Sequence, residues 1–573
     1  MHNHAPARRR DALLTALSGC RRHFIAAGLF SAGSNLLLLV PTLYMLQVYA
    51  RVLPTGSVLT LALISAVALF ALVVLALLDW LRARLLVRAG VLVETDLAPH
   101  VIHAAIARAD IDRMERADAL RQFETLRQAV SSPGVLALFD APWTIVYLAV
   151  AFMLHWALGV MALVASIVHV AISWRHERAI EAPLTEAATL QARAGTRHNH
   201  ALAHAGDIRA LGIARALVAQ QTGERADFAT AQAATALLSG NYASASRFLV
   251  LVLQSAALGL GALLAVDGAV SAGAVFAGSL VMGRALAPLD RLNQAWKTLA
   301  SARRAYHKLG ELLAAPPRAT HTRLPDPSGE LRIERLTVLA PQADRVAIAD
   351  VSALIAPGVV VGLVGPSGAG KSTLLRALAG GVTPARGTVR LDGAALDDWD
   401  PEQLARHIGY LPQSFALFPG TVKDNISRFA TALGEDPATV DAAVVAAAQS
   451  IGAHEMILRL PQGYDTLIGP GEPGFSAGQA QRIALARALY GKPRLLLLDE
   501  PTAHLDDEAM RAFAKQIAIF RQEKRTVVIA THSADLLSFA DRMMLLVNGR
   551  VERFGPIVET AVPLRPVSHV SAS

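Results

Sequence analysis

Four apolar blocks, roughly residues 23–46, 57–80, 135–174 and 246–283, commit the first half of this chain to a lipid bilayer. A helix needs about 20 apolar residues to cross a hydrocarbon core about 30 Å thick, and each block reaches that length. The last two are too long for a single crossing. His155 and Trp156 interrupt the third and Asp267-Gly268 the fourth, and each break suits a tight hairpin at a membrane face. Six helical spans are therefore expected between residues 23 and 313. The composition agrees, because 53% hydrophobic residues, 17% charged residues and a mean hydropathy of +0.39 are unusual for a soluble enzyme.

Basic residues orient the bundle. Arg8, Arg9, Arg10, Arg21 and Arg22 precede span one, and the connections between spans two and three and between spans four and five are rich in arginine, so these segments are expected in the cytoplasm. The net charge of +8 and pI near 9.8 are scattered over these flanks, which suits anionic membrane lipid and gives no basis for a nucleic-acid partner. Cys20 is the only cysteine and can form no intrachain disulfide. The first apolar segment lacks a small-residue cleavage site, so no cleavable signal is expected.

The second half has a different character. A Pro-containing stretch, 314–329, separates it from the apolar half, and beyond it strand-like runs alternate with helical ones, as in an α/β domain with a largely parallel sheet. The expected organisation is a cytoplasmic segment 1–22, a six-helix membrane domain 23–313, a linker 314–329, an α/β domain 330–560 and a tail 561–573.

Gly365-Pro366-Ser367-Gly368-Ala369-Gly370-Lys371-Ser372-Thr373 follows the apolar strand Val359 to Val364 and fits the G-x-x-x-x-G-K-[ST] phosphate loop. The glycines let backbone N–H groups curl around phosphates, Lys371 supplies a cation, and the Ser372 hydroxyl can ligate Mg²⁺. The chain is therefore read as binding ATP. Further on, Leu495-Leu496-Leu497-Leu498-Asp499-Glu500 is an apolar strand that delivers two carboxylates at its end. Asp499 can hold Mg²⁺, and Glu500 can orient or deprotonate the water that attacks the terminal phosphate.

Between these motifs lie Gln413, in Gly-Tyr-Leu-Pro-Gln, and Phe475-Ser476-Ala477-Gly478-Gln479-Ala480-Gln481-Arg482; beyond them come Ala503-His504-Leu505-Asp506 and Thr531-His532. The ordered set resembles the ATP-binding cassette of ABC transporters. The resemblance implies an α-helical membrane domain of six transmembrane helices, of the ABC exporter type, joined to an α/β P-loop NTPase cassette. It implies that Gln413 senses Mg²⁺ and the membrane domain, and that Ser476, Gly478 and Gln479 meet the nucleotide of an opposite cassette. It further implies that Asp506 communicates between cassettes and that His532 holds the γ-phosphate and water. Catalysis would then rest on Glu500, His532 and Lys371. One phosphate loop and one signature per chain imply that the working unit needs two chains.

A narrower resemblance rests on Asn35-Leu36-Leu37-Leu38-Leu39, Tyr44-Met45-Leu46-Gln47-Val48-Tyr49, Leu120-Arg121-Gln122-Phe123, Phe139-Asp140-Ala141-Pro142-Trp143 and Trp399-Asp400-Pro401-Glu402-Gln403-Leu404. These are similar to the type I secretion permease/ATPases, on the protease-exporting branch that lacks an N-terminal peptidase domain. That family implies an inner-membrane location, a second half-transporter, a periplasmic adaptor, an outer-membrane channel and a secreted protein as cargo.

Some residues depart from the family pattern. Phe475 replaces a leucine, Ala477 a glycine and Ala480 a basic residue, and Leu339-Ala340-Pro341 stands where an aromatic side chain commonly stacks on adenine. Gly469-Pro470-Gly471-Glu472-Pro473 replaces an acidic segment. Relaxed purine selectivity is expected from the missing aromatic. Cytoplasmic turns near Asp118 to Glu124 and His204 to Gly212 are expected to couple to the opposite cassette. Asp140, Trp143, Arg284, Asp290 and Arg291 sit at membrane depth, where charge is costly without a partner or a polar path. His198, His200 and His204 are read as solvated helix residues rather than a metal site.

Overall fold

The computed structural model describes residues 9–107, 113–313, 323–340, 345–469 and 474–557. The expected tail, residues 1–8, most of the linker, Pro341 and Pro470 to Pro473 lie outside the described residues. The chain forms two compact units, one helical and one α/β.

The helical unit contains six candidate crossings. They are Arg21–Thr55, Val58–Ile106, the pair Pro133–Asp140 and Trp143–Leu154 bent by 44°, Trp156–Leu202, Ala214–Val266 and Ala272–Leu313. Hairpins fall at the two interruptions seen in the sequence. His155 leaves the helical region at φ −168° and ψ 141°, and Gly268 takes φ +73°. The bend in span three sits at Ala141-Pro142, where proline removes a backbone donor and crowds the preceding turn. Val58, Leu59, Leu63, Val67, Leu69 and Phe70 of span two are exposed, a surface suited to lipid rather than water. Span six is the opposite case. Its Ala277, Val281, Met282, Ala285 and Leu286 are fully buried, and its glycines admit close neighbours, since a Cβ on Gly273 would lie 2.8 Å from the Leu46 carbonyl oxygen.

Asp140, at the bend, is 1% exposed and ties four spans together. Its Oδ1 accepts from Asn35 Nδ2 at 2.6 Å and from Arg82 Nη1 at 3.1 Å, and its Oδ2 accepts from Arg291 Nη1 at 3.2 Å. Arg82 also donates to Ser31 Oγ and pairs with Asp79. Tyr147 donates to the Asn35 carbonyl at 2.8 Å. The charges flagged at membrane depth are thus partly explained by mutual pairing.

One expectation is corrected. Asp118 to Glu124 form no turn; they lie inside the Arg113–Val130 helix, where Asp118 accepts from Gln122 at i+4 and pairs with Lys308 at 3.1 Å. A polar run without Gly or Pro continues a helix as readily as it ends one. His204 to Gly212 do form a turn region, with a short Ala205–Ala210 helix and Gly212 at φ +68°.

The second unit contains β1 (Leu331–Leu339), β2 (Val346–Ile355), β3 (Val360–Val364), β4 (Arg386–Leu391), β5 (Ala394–Ala395), β6 (Ile408–Leu411), β7 (Gly420–Thr421), β8 (Leu467–Ile468), β9 (Leu495–Asp499), β10 (Thr526–Ala530), β11 (Arg542–Val547) and β12 (Arg550–Pro556). The main sheet has the order β12-β11-β3-β10-β9-β6, parallel except for β12. An antiparallel sheet runs β2-β1-β4-β5, and β7 pairs with β8. Strand alternation splits the apolar residues between two cores. Leu496, Leu498, Val527 and Ile529 pack with Phe513, Ile517 and Phe520 of the Asp507–Gln522 helix. Leu495, Leu497, Val361, Leu363 and Val528 pack on the other face with Leu374, Leu375 and Leu378 of the Lys371–Leu378 helix. Strands covered on both faces read as continuous apolar runs, as β9 does.

Candidate nucleotide site

The loop from Gly365 to Gly370 joins β3 to the Lys371–Leu378 helix, so backbone N–H groups and the positive end of the helix converge there. Two glycines are required by geometry. Gly365 takes φ +155° and a Cβ there would meet the Leu546 carbonyl oxygen at 2.1 Å, while Gly370 takes φ +102° and a Cβ would lie 2.8 Å from the Ala347 oxygen. Pro366, Ser367 and Gly368 are exposed, Ala369 is buried, and Thr373 lies in the first turn of the helix.

Lys371 is nearly buried, and its Nζ donates to the carbonyls of Gly365 at 2.7 Å and Pro366 at 3.1 Å. The same ammonium is 3.2 Å from Nε2 of His532. Burial lowers the pKa of Lys371, and the carboxylates of Glu500 and Asp499 oppose that shift.

Asp499 closes β9, opposite Ala530 of β10, and is 3% exposed. Burial pushes its carboxyl above the usual range; a hydrogen bond from Ser372 opposes this, Glu500 adds to it, and the Gln413 backbone N–H and Lys371 also oppose it. Its Oδ2 is buried and has no protein hydrogen-bond partner. A bare buried carboxylate oxygen beside a hydroxyl fits the oxygen-ligand chemistry of Mg²⁺, which supplies charge neutralisation on phosphate oxygens when bound.

Glu500 takes φ +47°, a left-handed conformation costing roughly 1–3 kcal/mol for a non-glycine residue. Its N–H donates to the Ala530 carbonyl at 2.9 Å, and its Oε1 is 3.8 Å from Nε2 of His532. Gln481 steadies the chain just beyond it. The fully buried amide donates from Nε2 to the Pro501 carbonyl at 2.7 Å and accepts the His504 N–H at 2.9 Å. Sequence reasoning gave Gln481 no role, although a glutamine on the apolar side of a helix was a usable signal.

Two groups of expected site residues result. Lys371, Ser372, Gln413, Asp499, Glu500 and His532 meet at the C-terminal edge of the main sheet. Ser476, Gly478, Gln479 and Asp506 cluster instead about two helix starts. Ser476 caps the Ala477–Leu489 helix, accepting from Gln479 N–H at 3.3 Å while Gln479 Oε1 accepts the Ser476 N–H at 3.0 Å. A Cβ on Gly478 would lie 2.9 Å from the His504 oxygen. Asp506 caps the Asp507–Gln522 helix through Ala509 N–H at 3.0 Å and pairs with Arg482. Phe475 packs against the apolar core, which accommodates its departure from leucine. Among the described residues no group of three or more His, Cys, Asp or Glu is placed to hold a metal ion.

A six-crossing helical unit followed by this cassette defines an ATP-binding exporter of the multi-pass membrane class. The fold matches a bacterial Atm1-family ABC exporter with ATP bound at TM-score 0.80 and 23% identity, covering 94% of this chain and 96% of that one. Residues 348–503 match the family described as ABC transporter. The chain is 38% identical over 549 residues to the type I secretion system ATP-binding protein PrsD of Rhizobium meliloti (strain 1021), covering 94% of this chain and 92% of the relative. It is 29% identical over 552 residues to the cyclolysin secretion/processing ATP-binding protein CyaB of Bordetella pertussis, covering 93% and 75%. It is also 33% identical over 300 residues to the alpha-hemolysin translocation ATP-binding protein HlyB of Escherichia coli O157:H7, covering 52% and 42%. The chain belongs to the type I secretion ATP-binding proteins, nucleotide-binding ABC exporters that couple ATP hydrolysis to transport.

Proposed function

We infer that this chain is the inner-membrane permease/ATPase of a type I protein secretion system, acting as a homodimer on an unfolded secreted protein. A periplasmic adaptor and an outer-membrane channel complete the export path in this reading. The observation that carries it is the likeness to PrsD across nearly the whole chain, membrane half included.

In the proposed site, the loop Gly365, Pro366, Ser367, Gly368, Ala369, Gly370, Lys371, Ser372 and Thr373 cradles the phosphates of ATP. Ser372, Gln413 and Asp499 hold Mg²⁺. Lys371 must leave its loop carbonyls for the phosphate oxygens, Glu500 takes a proton from or aims the attacking water, and His532 steadies the γ-phosphate. Ser476, Gly478 and Gln479 of the second chain close the site, and Asp506 relays between cassettes. ATP then bridges two surfaces, and hydrolysis removes the contacts that hold them together.

Trapping the Glu500→Gln variant with ATP in membranes and identifying what co-purifies tests this reading. Recovery of an adaptor and a secreted polypeptide is expected. Recovery of lipid alone points instead to an exporter of small molecules.

A further inference from the structure

Span four carries a polar stripe that the nucleotide chemistry does not use. Ser166, His169, Ser173 and His176 follow at steps of three, four and three residues, so they share one helix face. His169 is 0% exposed, and Ser166 and His176 are nearly buried. At 1.5 Å per residue, His169 lies about 20 Å and His176 about 30 Å from the start of the helix at Trp156. The stripe therefore runs from the interior of the span toward its arginine-rich end.

Spans five and six meet this face. Nδ1 of His169 is 3.4 Å from Oγ of Ser246, and the Ser246 hydroxyl donates to Oδ1 of Asp290 at 2.7 Å. Further along, Nδ1 of His176 is 2.9 Å from Oδ1 of Asn293, and its ring lies 4.9 Å from that of Tyr242. These contacts set the tautomers. The Ser246 proton is committed to Asp290, so its oxygen accepts from His169; Asn293 Oδ1 likewise accepts from His176. Each imidazole then carries its proton on Nδ1 and a lone pair on Nε2. Both Nε2 atoms and the Ser166 and Ser173 hydroxyls are buried without a protein hydrogen-bond partner.

Buried polar atoms are nearly always paired, and four orphans on one face suit a file of hydrogen-bonded waters. Few other charges face the stripe. Asp290 on span six and Tyr242 on span five are the titratable neighbours; Arg291 is engaged with Asp140, and Arg247 is exposed. The Trp143–Leu154 helix of span three packs on the same core with no charged residue.

We propose that His169 is a buried proton-binding site of the membrane unit, reached through water along Ser166, Ser173 and His176, whose protonation at Nε2 draws on Asp290 through Ser246. The protonated state clamps span four to spans five and six, and export slows because these helices must shift against one another. This inference is independent of the identity of the cargo.

The test uses full-length protein in nanodiscs, with ATP turnover followed from about pH 5.5 to about 8.5, where imidazole titrates. His169→Gln retains a donor for Ser246 and takes up no proton, so its acid limb should flatten by about threefold relative to wild type, a difference of about half a pH unit of titration. His200→Gln, at an exposed position near the far end of the same helix, serves as the control and should follow wild type. In weakly buffered samples, closure by a nonhydrolysable ATP analogue should release up to about one proton per chain from wild type and none from this site in His169→Gln. Superimposable profiles and equal proton counts for wild type and His169→Gln overturn the proposal. If that variant does not reconstitute, Ser246→Ala cuts the link to Asp290 and must displace the inflection; an unmoved inflection overturns the proposal equally.

Discussion

The Nζ of Lys371 and the Nε2 of His532 lie 3.2 Å apart, which joins the start of the Lys371–Leu378 helix to the loop after β10. An ammonium can only donate, so His532 accepts at Nε2 and holds its proton on Nδ1. The lysine and the histidine proposed to meet the phosphates are thus poised on one another before nucleotide arrives.

Replacing Glu500 by Gln keeps the shape of the side chain and removes its basicity. Turnover should fall by about 10²-fold or more, the range for loss of a general base, while ATP still drives association of two chains. Phosphate release and chemical crosslinking measure the two effects, and unchanged release would refute the assigned role.

Burial raises the carboxyl of Asp499, so the nucleotide-free fold holds that proton more tightly than the unfolded chain does. The matching stability is present below the ordinary carboxylate range and is lost as pH rises through the raised pKa. Asp499→Asn is neutral throughout. Without nucleotide it should melt above wild type at neutral pH, with the gap closing toward acid, and it should gain no stabilisation from Mg²⁺ and ATP. A lower neutral-pH melting point for the variant contradicts this account.

Ser476 has two separable duties, as helix cap and as proposed phosphate contact. Ser476→Asp keeps a capping oxygen, so thermal stability should hold, whereas Ser476→Ala should cost about 1 kcal/mol. Both variants should lose ATP turnover, and the aspartate more completely through charge repulsion. Turnover that tracks stability instead would reduce Ser476 to its capping role.

Removing the charge of Asp140 leaves Arg82 buried without its strongest partner. Asp140→Asn should destabilise the solubilised protein by about 3–5 kcal/mol, and adding Arg82→Gln should recover part of the loss. Denaturation of the single and double variants in detergent provides the comparison.

Leu339 ends β1, half exposed, where the family commonly offers an aromatic ring to adenine. Comparable hydrolysis of ATP and GTP is expected, and Leu339→Tyr should shift the ratio toward ATP by about 1 kcal/mol, an ordinary stacking increment. A strong ATP preference in the unmodified protein rules this out.

Much of this was readable before any coordinates. Span number followed from apolar length and two polar interruptions, and the phosphate loop from its glycines and Lys371, because both depend on local chemistry. The partners of Asp140 were not readable, since they come from positions 35, 82 and 291 and only tertiary packing brings them together. The left-handed backbone at Glu500 and the bracing by Gln481 were hidden for the same reason. Asp118 to Glu124 was misread because a polar stretch does not itself reveal whether a helix continues through it.

The shared carboxylate at the bend of span three also bears on biogenesis. Arg82 leaves the ribosome well before Asp140, and Arg291 far later, so the junction cannot close during early insertion. Asp79, one helical turn before Arg82 and 3.1 Å from it, can serve as an interim counter-ion. The final fastening waits for span six, so nascent chains interrupted short of it should be recognised and degraded by membrane quality control.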